Sequence, residues 1–334
     1  MSRMHGPQND NAGRLRGRRT LKGALALALV VGAVSGGAFA ATAGPHFTAW
    51  GPAQKIDTIP GNSSELNTIS LDGCPIQSPD GLSLYMASNR PDGEGGLDIW
   101  VATRSSRSGG WGAPVNLEPI NTAADEFCPT PLHDGGLLFV SRRVVLGVTC
   151  GLGDIYYTRL NPAHGWSEPE HFACAPEGPN SALDEQGPSY VQGRLYFSRS
   201  TLPAGNSGEL FASAKSGDMT FGPAAPIVEL NDAVANDIQP NVRKDGREIV
   251  FSSNRTGGQG GQDIWSATRA SVADPWSTPV NLGTSVNTSF GESRPSLSWD
   301  AQQLLFGRAG PVGTGEGGTG ASDIYVATRE QRDD

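Results

Sequence analysis

The chain has 334 residues with 45 glycines, 24 prolines and a formal net charge of −9 at neutral pH. This negative charge argues against nucleic-acid binding, because an acidic surface repels the phosphate backbone. The many turn-forming residues and the short apolar runs between them are typical of an all-β fold. Seven tryptophans and regularly spaced apolar segments argue against disorder over most of the chain.

The N-terminal 40 residues have the composition of a secretory signal. Basic residues end at Lys22, an apolar stretch runs over 24–34, and small residues surround Ala38 and Ala40. Residues 18–22 resemble a twin-arginine signal, but Lys22 stands where that pattern has an apolar residue, so Tat and Sec export both stay open. The apolar stretch is short for a membrane span, with a retained anchor as the alternative.

We therefore expect a signal peptide at 1–40, a short linker at 41–46 and a protein that is secreted or resides in the cell envelope. Residues 1–40 hold six of the 25 basic residues and one of the 34 acidic residues, so the remainder has 19 basic and 33 acidic residues and a net charge of −14. No membrane span is expected in that remainder.

The four cysteines all fall in the exported part of the chain. They are Cys74, Cys128, Cys150 and Cys174. An even number of cysteines in an oxidising compartment indicates two disulfides, with three pairings open.

A short motif, an acid followed by an apolar strand, recurs five times. The copies are Asp98-Ile99-Trp100, Asp154-Ile155-Tyr156, Glu209-Leu210-Phe211, Asp263-Ile264-Trp265 and Asp323-Ile324-Tyr325. They begin 56, 55, 54 and 60 residues apart. Upstream of each copy, a proline is followed by a turn and by an apolar strand that ends near an arginine, as in Pro240, Asp245-Gly246 and Arg255. Aspartate and glycine between two apolar runs predict a hairpin.

Each repeat therefore predicts four short antiparallel strands, which is the blade of a propeller. We predict an all-β, five-bladed β-propeller over 47–329. The blades are expected at about 70–117, 124–172, 183–230, 236–282 and 291–329. The fifth repeat ends without a fourth strand, so the N-terminal strand at 47–57 is expected to complete it, which would close the ring and remove an exposed edge. Residues 330–334 are expected to form a charged tail.

The repeat resembles a known family. Pro75, residues 78–81 (Ser-Pro-Asp-Gly), residues 88–90 (Ser-Asn-Arg) and residues 98–100 (Asp-Ile-Trp) look like the PD40, or WD40-like, repeat of TolB-type β-propellers. The resemblance covers roughly residues 47–329 and implies the fold. It does not carry over the role of TolB in the cell envelope, because the additional N-terminal domain of TolB has no counterpart here, and propellers have many functions.

An acid stands three residues before the proline in every repeat. These acids are Asp72, Glu126, Glu185, Asp237 and Glu292. We expect them to ring one mouth of the central channel, where converging carboxylates would bind a cation such as Ca²⁺ or a basic group of a ligand. The alternative is structural, in which each acid satisfies turn amides or pairs with an arginine. Arg294 projects toward the same mouth and is a possible internal counter-ion of the acids.

The other repeated charges are expected to serve the repeat itself. They are Asp98, Asp154, Glu209, Asp263 and Asp323, with Arg90, Arg143, Arg199, Arg255 and Arg308. The loops between the second and third strands, at 91–97, 144–153, 256–262 and 309–322, open on the same face and are suited to recognition.

The cysteines interrupt the repeat. Cys74 and Cys128 both precede the repeat proline, so they should face each other on adjacent inner strands and form one disulfide. Cys150 and Cys174 then pair by elimination, and free buried thiols are the alternative to both disulfides.

Two functions remain open on the sequence alone. The first is a non-catalytic binding or scaffolding module, expected to be monomeric, for a protein, peptide or glycan on the loop face, with no catalytic residues and no cofactor. The second is a secreted carbohydrate-active hydrolase that uses carboxylates at the channel mouth. The symmetric repetition of the acids favours the first, because a catalytic pair should break the repeat.

Overall fold

The computed structural model describes residues 46–200, 208–310 and 322–332. The predicted signal peptide, residues 41–45 of the predicted linker, most of the 309–322 loop and the last two residues lie outside this part. The chain divides into two compact units, Met1–Ala40 and Ala41–Asp334. Everything that follows concerns the second unit.

Strands dominate the structure, and they are numbered here in chain order. The N-terminal segment has β1 (His46–Phe47), β2 (Gln54–Lys55) and two short 3-10 helices, Ile56–Thr58 and Ser64–Leu66. The first blade has β3 (Asp72–Gln77), β4 (Ser83–Ser88), β5 (Asp98–Thr103) and β6 (Val115–Asn116). The second has β7 (Glu126–Pro131), β8 (Gly136–Ser141), β9 (Asp154–Asn161), β10 (Gly165–Trp166) and β11 (Glu170–His171).

The remaining blades repeat this plan. The third has β12 (Asp184–Val191), β13 (Arg194–Ser200), β14 (Glu209–Gly217) and β15 (Thr220–Pro226). The fourth has β16 (Asp237–Val242), β17 (Glu248–Ser253), β18 (Asp263–Thr268) and β19 (Val280–Asn281). The fifth has β20 (Glu292–Leu297), β21 (Gln303–Ala309) and β22 (Ser322–Thr328), and β23 (Gln331–Arg332) follows it.

These strands form five small antiparallel sheets arranged as a ring, which confirms the predicted five-bladed β-propeller. Within each blade the strands pair in chain order, and the inner strands β3, β7, β12, β16 and β20 contact one another in sequence, with β20 returning to β3. The second blade differs in having a fifth strand, because β9 is long enough to form a hairpin with β10 before pairing with β11.

The ring is closed as the repeat pattern predicts. Strand β2 pairs with β22, with Gln54 opposite Val326 and Lys55 opposite Tyr325, and so supplies the fourth strand of the fifth blade. Trp50, in the segment before β2, is 9% exposed and packs under the guanidinium of Arg329, 4.3 Å from the ring centroid. The termini thus hold the last blade together.

A second pairing of the termini was not predicted. Strand β1 pairs with β23, with His46 opposite Arg332 and Phe47 opposite Gln331. Arg329 stacks on Phe47 as well, 3.9 Å from its centroid. The end of the expected linker and part of the expected charged tail therefore form a small ribbon beside the closing strand.

The core lies between the faces of neighbouring blades. Four of its largest fully buried side chains occupy the same position in the second strands of four blades. They are Phe139, Phe197, Phe251 and Phe306. Met86 occupies that position in the first blade and is also fully buried. One large apolar side chain per blade at the same depth is what a repeated unit needs to bury a continuous core.

The described residues contain no helix that is long and apolar enough to cross a membrane.

Candidate functional site at the channel mouth

A bulge interrupts each inner strand at its proline. The pairing with the second strand shifts register there in all five blades, and the residue before the proline has a positive φ. These residues are Cys74 (48°), Cys128 (49°), Gly187 (58°), Gln239 (55°) and Arg294 (59°). A bulge is where a sheet tolerates a proline, which has no N–H to donate, and it turns the neighbouring side chain in a new direction.

The bulges bring the inner strands close together around the axis. The Cα atoms of Cys74 and Cys128 are 4.8 Å apart and their side chains form a disulfide. The cavity between the bulges, lined by the five repeat prolines among other residues, has a volume of about 30 Å³. That is room for about one or two water molecules. The axis is therefore narrow at this depth.

All five inner-strand acids are fully buried, and each is paired with the arginine of its own blade. The pairs are Asp72–Arg90 (2.5 Å), Glu126–Arg143 (3.3 Å), Glu185–Arg199 (2.7 Å), Asp237–Arg255 (2.6 Å) and Glu292–Arg308 (2.8 Å). The arginine belongs to the second strand or to the residues just after it. Each acid is thus engaged by an arginine of its own blade.

Each acid also holds the connection from the preceding blade. In the first blade the backbone N–H and the hydroxyl of Thr68 donate to Asp72 at 2.6 and 2.8 Å. Arg90 donates to the carbonyl of Glu65 at 2.9 Å, so one ion pair satisfies both donors and acceptors of the turn. Thr122, Ser181, Asp232 and Thr288 make the equivalent backbone contacts to the acids of the other blades.

Burial raises the pKa of two of these acids. The pKa of Glu185 is raised above its ordinary value because burial disfavours the carboxylate, an effect that hydrogen bonds from Ser181 and Arg199 partly offset. The pKa of Glu126 is raised for the same reason, partly offset by Ser141, Thr122 and Arg143. Neither carboxylate reaches solvent, so neither is placed to meet a substrate.

The acids of the third strands hold the loops above them. Asp98 accepts a hydrogen bond from the backbone N–H of Glu94 at 2.6 Å, and Asp263 accepts one from the Asn281 side chain at 2.9 Å. Asp323 pairs with Lys55 of the closing strand at 3.0 Å. Their counterpart in the third blade, Glu209, is exposed.

Cys150 and Cys174 form the second disulfide, with Cα atoms 5.8 Å apart. The expectation of two disulfides is confirmed, and such bonds are typical of proteins outside the reducing cytoplasm. The sulfur of Cys150 lies with Asp154 and His171 in a group whose potential ligand atoms are within 4.8 Å of one another. Because that sulfur is in a disulfide, it is not a thiolate ligand, and His171 is engaged instead with Asp154 at 3.0 Å.

Arg294 differs from the arginines that pair with the inner-strand acids. The sequence offers it as a counter-ion of those acids, but each of them pairs with an arginine of its own blade. Among residues 46–200, 208–310 and 322–332, no carboxylate or carbonyl accepts a hydrogen bond from the Arg294 guanidinium. Its backbone N–H donates to Ser252 Oγ at 3.1 Å.

The surroundings of Arg294 are built around its guanidinium. A Cβ on Gly73 would lie 2.9 Å from Arg294 Nη1 and 3.3 Å from Ser322 Oγ, so the absence of a side chain at position 73 makes room for the charged group. The side chain of Arg294 is only partly exposed. Its burial, together with the nearby positive charge of Arg142, lowers the pKa of Arg294 to about 10.

Arg142 and Gln239 are two further polar side chains of this region. Arg142 pairs with Asp125 at 2.9 Å and with Asp184 at 3.2 Å. Gln239 donates to Gln186 at 3.2 Å, and its own side-chain oxygen is buried without a donor in the part of the chain that the structure describes. Arg142 stands where the first and fourth repeats have an asparagine, and this break in the repeat was the signal that could have found it.

Comparison with known proteins supports the fold. The chain matches no protein-family model and no curated protein. It resembles an α-L-arabinofuranosidase from Podospora anserina, solved in complex with cellotriose, with 12% identity, a TM-score of 0.53 and coverage of 86% of this chain and 98% of that one. A GH62 α-L-arabinofuranosidase catalytic domain from Coprinopsis cinerea gives 14% identity, a TM-score of 0.50 and coverage of 85% and 98%.

TolB from Acinetobacter baumannii is a further structural neighbour, with 14% identity and a TM-score of 0.44. The match covers 77% of this chain and 54% of TolB. At these identities the likeness to the two arabinofuranosidases concerns the fold and does not extend to activity.

Proposed function

We propose that this protein is an exported, non-catalytic binding module that recognises its ligand on the loop face of the propeller, at the channel mouth. One observation carries this proposal. The five repeated carboxylates of the inner strands, which are the natural candidates for acid–base or cation chemistry, are all buried and paired with arginines.

The repeat motifs themselves support a propeller of the PD40 type. The composition of residues 1–40 supports export, and the two disulfides agree with an oxidising compartment. We propose a monomer whose partner is a protein, peptide or glycan, and the acidic composition argues against nucleic acid.

The alternative function is a secreted carbohydrate hydrolase. Its fold-level support is the likeness to the two arabinofuranosidases. A glycoside hydrolase of the usual kind needs two carboxyl groups about 5–9.5 Å apart on either side of the scissile bond, at least one of them ionised and in reach of the sugar. Carboxylates that are fully buried and ion-paired do not meet that requirement.

A turnover assay separates the two functions. Purified protein without its signal is incubated with chromogenic arabinofuranosides, xylosides and arabinan, and binding to glycan and peptide arrays is measured in parallel. We expect array binding without hydrolysis. Hydrolysis that survives in an Arg194→Ala control and disappears in Glu185→Gln would overturn the binding proposal, because Arg194 is exposed on the same strand as Arg199.

A further inference from the structure

We propose that Arg294 is the anchor of a binding site for a single carboxylate group, presented by a ligand that approaches along the propeller axis. This inference deepens the proposed function and rests on it, since it names the chemical group that the channel mouth recognises. It starts from a feature that breaks the five-fold repeat. At the position before the repeat proline, four blades have cysteine, glycine or glutamine, and the fifth has arginine.

The positive charge of Arg294 is uncompensated. In the described ranges the five inner-strand acids form ion pairs with five arginines, whereas the guanidinium of Arg294 has no hydrogen-bond acceptor. A partly buried cation without a partner costs stability, and an aliphatic or amide side chain in its place would avoid that cost. A ligand that supplies the missing anion explains why a cation stands there. Residues whose charge is unfavourable in the free protein are typical of binding sites.

The guanidinium of Arg294 lies in a space left by a glycine. Gly73 on the neighbouring inner strand leaves space for the guanidinium, and Ser322 Oγ lies at the same place, where it donates to the carbonyl of Asp72 at 2.9 Å. Arg294 also lines the small cavity on the axis, which has a volume of about 30 Å³. The guanidinium therefore stands beside a narrow axial space.

The charges around Arg294 indicate which kind of anion it binds. Arg142 contributes positive potential, but Asp125 and Asp184 already neutralise it. Arg294 thus offers one uncompensated charge, and the protein as a whole is negative. A dianion such as sulfate or phosphate would need a second free cation. The planar guanidinium fork matches the two oxygens of a carboxylate, which favours a monovalent carboxylate.

The Arg294 side chain keeps its proton at neutral pH. Burial and the charge of Arg142 lower the pKa of Arg294 to about 10, so the side chain is still a cation at neutral pH and can pair with an anion. A bound carboxylate would relieve the repulsion between the two arginines.

The test follows the Nε–H signal of Arg294 in proton–nitrogen correlation spectra, assigned by its loss in Arg294→Lys. The probes are acetate, its neutral analogue acetamide, and sulfate. We expect a saturable shift with acetate, with a dissociation constant of roughly millimolar size, and none with acetamide. Gly73→Ala should weaken acetate binding because a Cβ there displaces the guanidinium. Arg194→Gln, which removes one exposed charge, should leave it unchanged.

The melting temperature is the second readout. If Arg294 were purely structural, its replacement would lower the melting temperature. Arg294→Gln should melt about 2 °C or more above the wild type without acetate, because it removes an uncompensated charge. Acetate should raise the melting temperature of the wild type and leave that of Arg294→Gln unchanged.

Three results would overturn the site: no saturable acetate shift, tighter binding of sulfate than of acetate, or a lower melting temperature for Arg294→Gln. None of them bears on the non-catalytic assignment, which the turnover assay tests separately.

Discussion

A carboxylate buried at the start of an inner strand needs both a counter-charge and hydrogen-bond donors, because an unpaired charge inside a protein is costly. The propeller meets both needs with one arginine and one turn per blade. The arginine reaches the acid from two different positions. Arg199 and Arg308 lie directly opposite their acids, in register with Glu185 and Glu292. In the other three blades a serine stands opposite the acid and the arginine follows two residues later.

The serine keeps that longer approach in place. Ser88 accepts hydrogen bonds from the backbone N–H of Arg90 at 3.1 Å and from its Nε at 3.0 Å. Ser253 does the same for Arg255. Two local sequences therefore give one contact, which is why the motif ending in Ser-Asn-Arg varies between repeats while the acid–arginine pair is present in every blade.

The first prediction concerns the Glu185–Arg199 pair. Arg199→Ala should lower the free energy of unfolding by about 3–5 kcal/mol at neutral pH, because it leaves a buried carboxylate without its cation. The control is Arg194→Ala, an exposed residue at the start of the same strand, with an expected change within about 0.5 kcal/mol. Both are measured by denaturant unfolding.

The same variant should show a diagnostic pH dependence. Burial already raises the pKa of Glu185, and loss of Arg199 removes a contact that lowers it, so the pKa rises further in the folded variant. The folded state then binds a proton at pH values where the unfolded chain is still ionised, and stability rises as the pH falls through that window. The deficit of Arg199→Ala relative to wild type should therefore shrink between pH 7 and about pH 5. An equal deficit at both pH values contradicts a buried, paired Glu185.

At the scale of elements, closure of the ring depends on contacts that lie outside the repeat. Arg329 forms a bidentate pair with Glu248 of the fourth blade, at 2.8 and 2.7 Å, and stacks on Phe47 and Trp50. One side chain thus connects the N-terminal segment, the last strand and the neighbouring blade. An open sheet edge would otherwise remain on β22, and such edges promote aggregation.

The second prediction compares two tryptophans. Trp50→Ala should lower the free energy of unfolding by about 3–5 kcal/mol, since Trp50 is buried in an apolar cluster with side chains of the fourth and fifth blades. Trp299, which is 40% exposed, is the matched control, and its replacement by alanine should cost much less. Thermal unfolding of both variants gives the comparison. Similar losses in the two would contradict closure through the N-terminal segment.

The blades and their closure were predictable from the repeat, because each repeat has its turn residues and strand-end residues in the same order. The β1–β23 ribbon and the extra hairpin of the second blade were not predictable in this way. The ribbon lies outside the repeat, and the hairpin depends on β9 extending to Asn161. A repeat pattern does not predict a contact that occurs once. The bulges at the repeat prolines were also missed, although a proline within a strand is itself a signal for one.

Across the whole molecule, the charged residues that recur in every blade differ from Arg294, which occurs in one blade. A feature present in every blade, such as the acid–arginine pair, serves the blade. A feature present in one blade, such as Arg294, is free to serve a ligand. The sequence singles out Arg294 as a break in the repeat, but it does not show which arginine reaches which acid. That assignment needs the side-chain geometry.

The repeated carboxylates hold the blades together, and Arg294 is the charge left for a ligand. A crystal structure of the protein grown with both calcium and acetate tests both statements. We expect an acetate oxygen within about 2.7–2.9 Å of an Arg294 guanidinium nitrogen, with the five acid–arginine pairs intact. A calcium ion coordinated by Asp72, Glu126, Glu185, Asp237 or Glu292, with its arginine displaced, would contradict it.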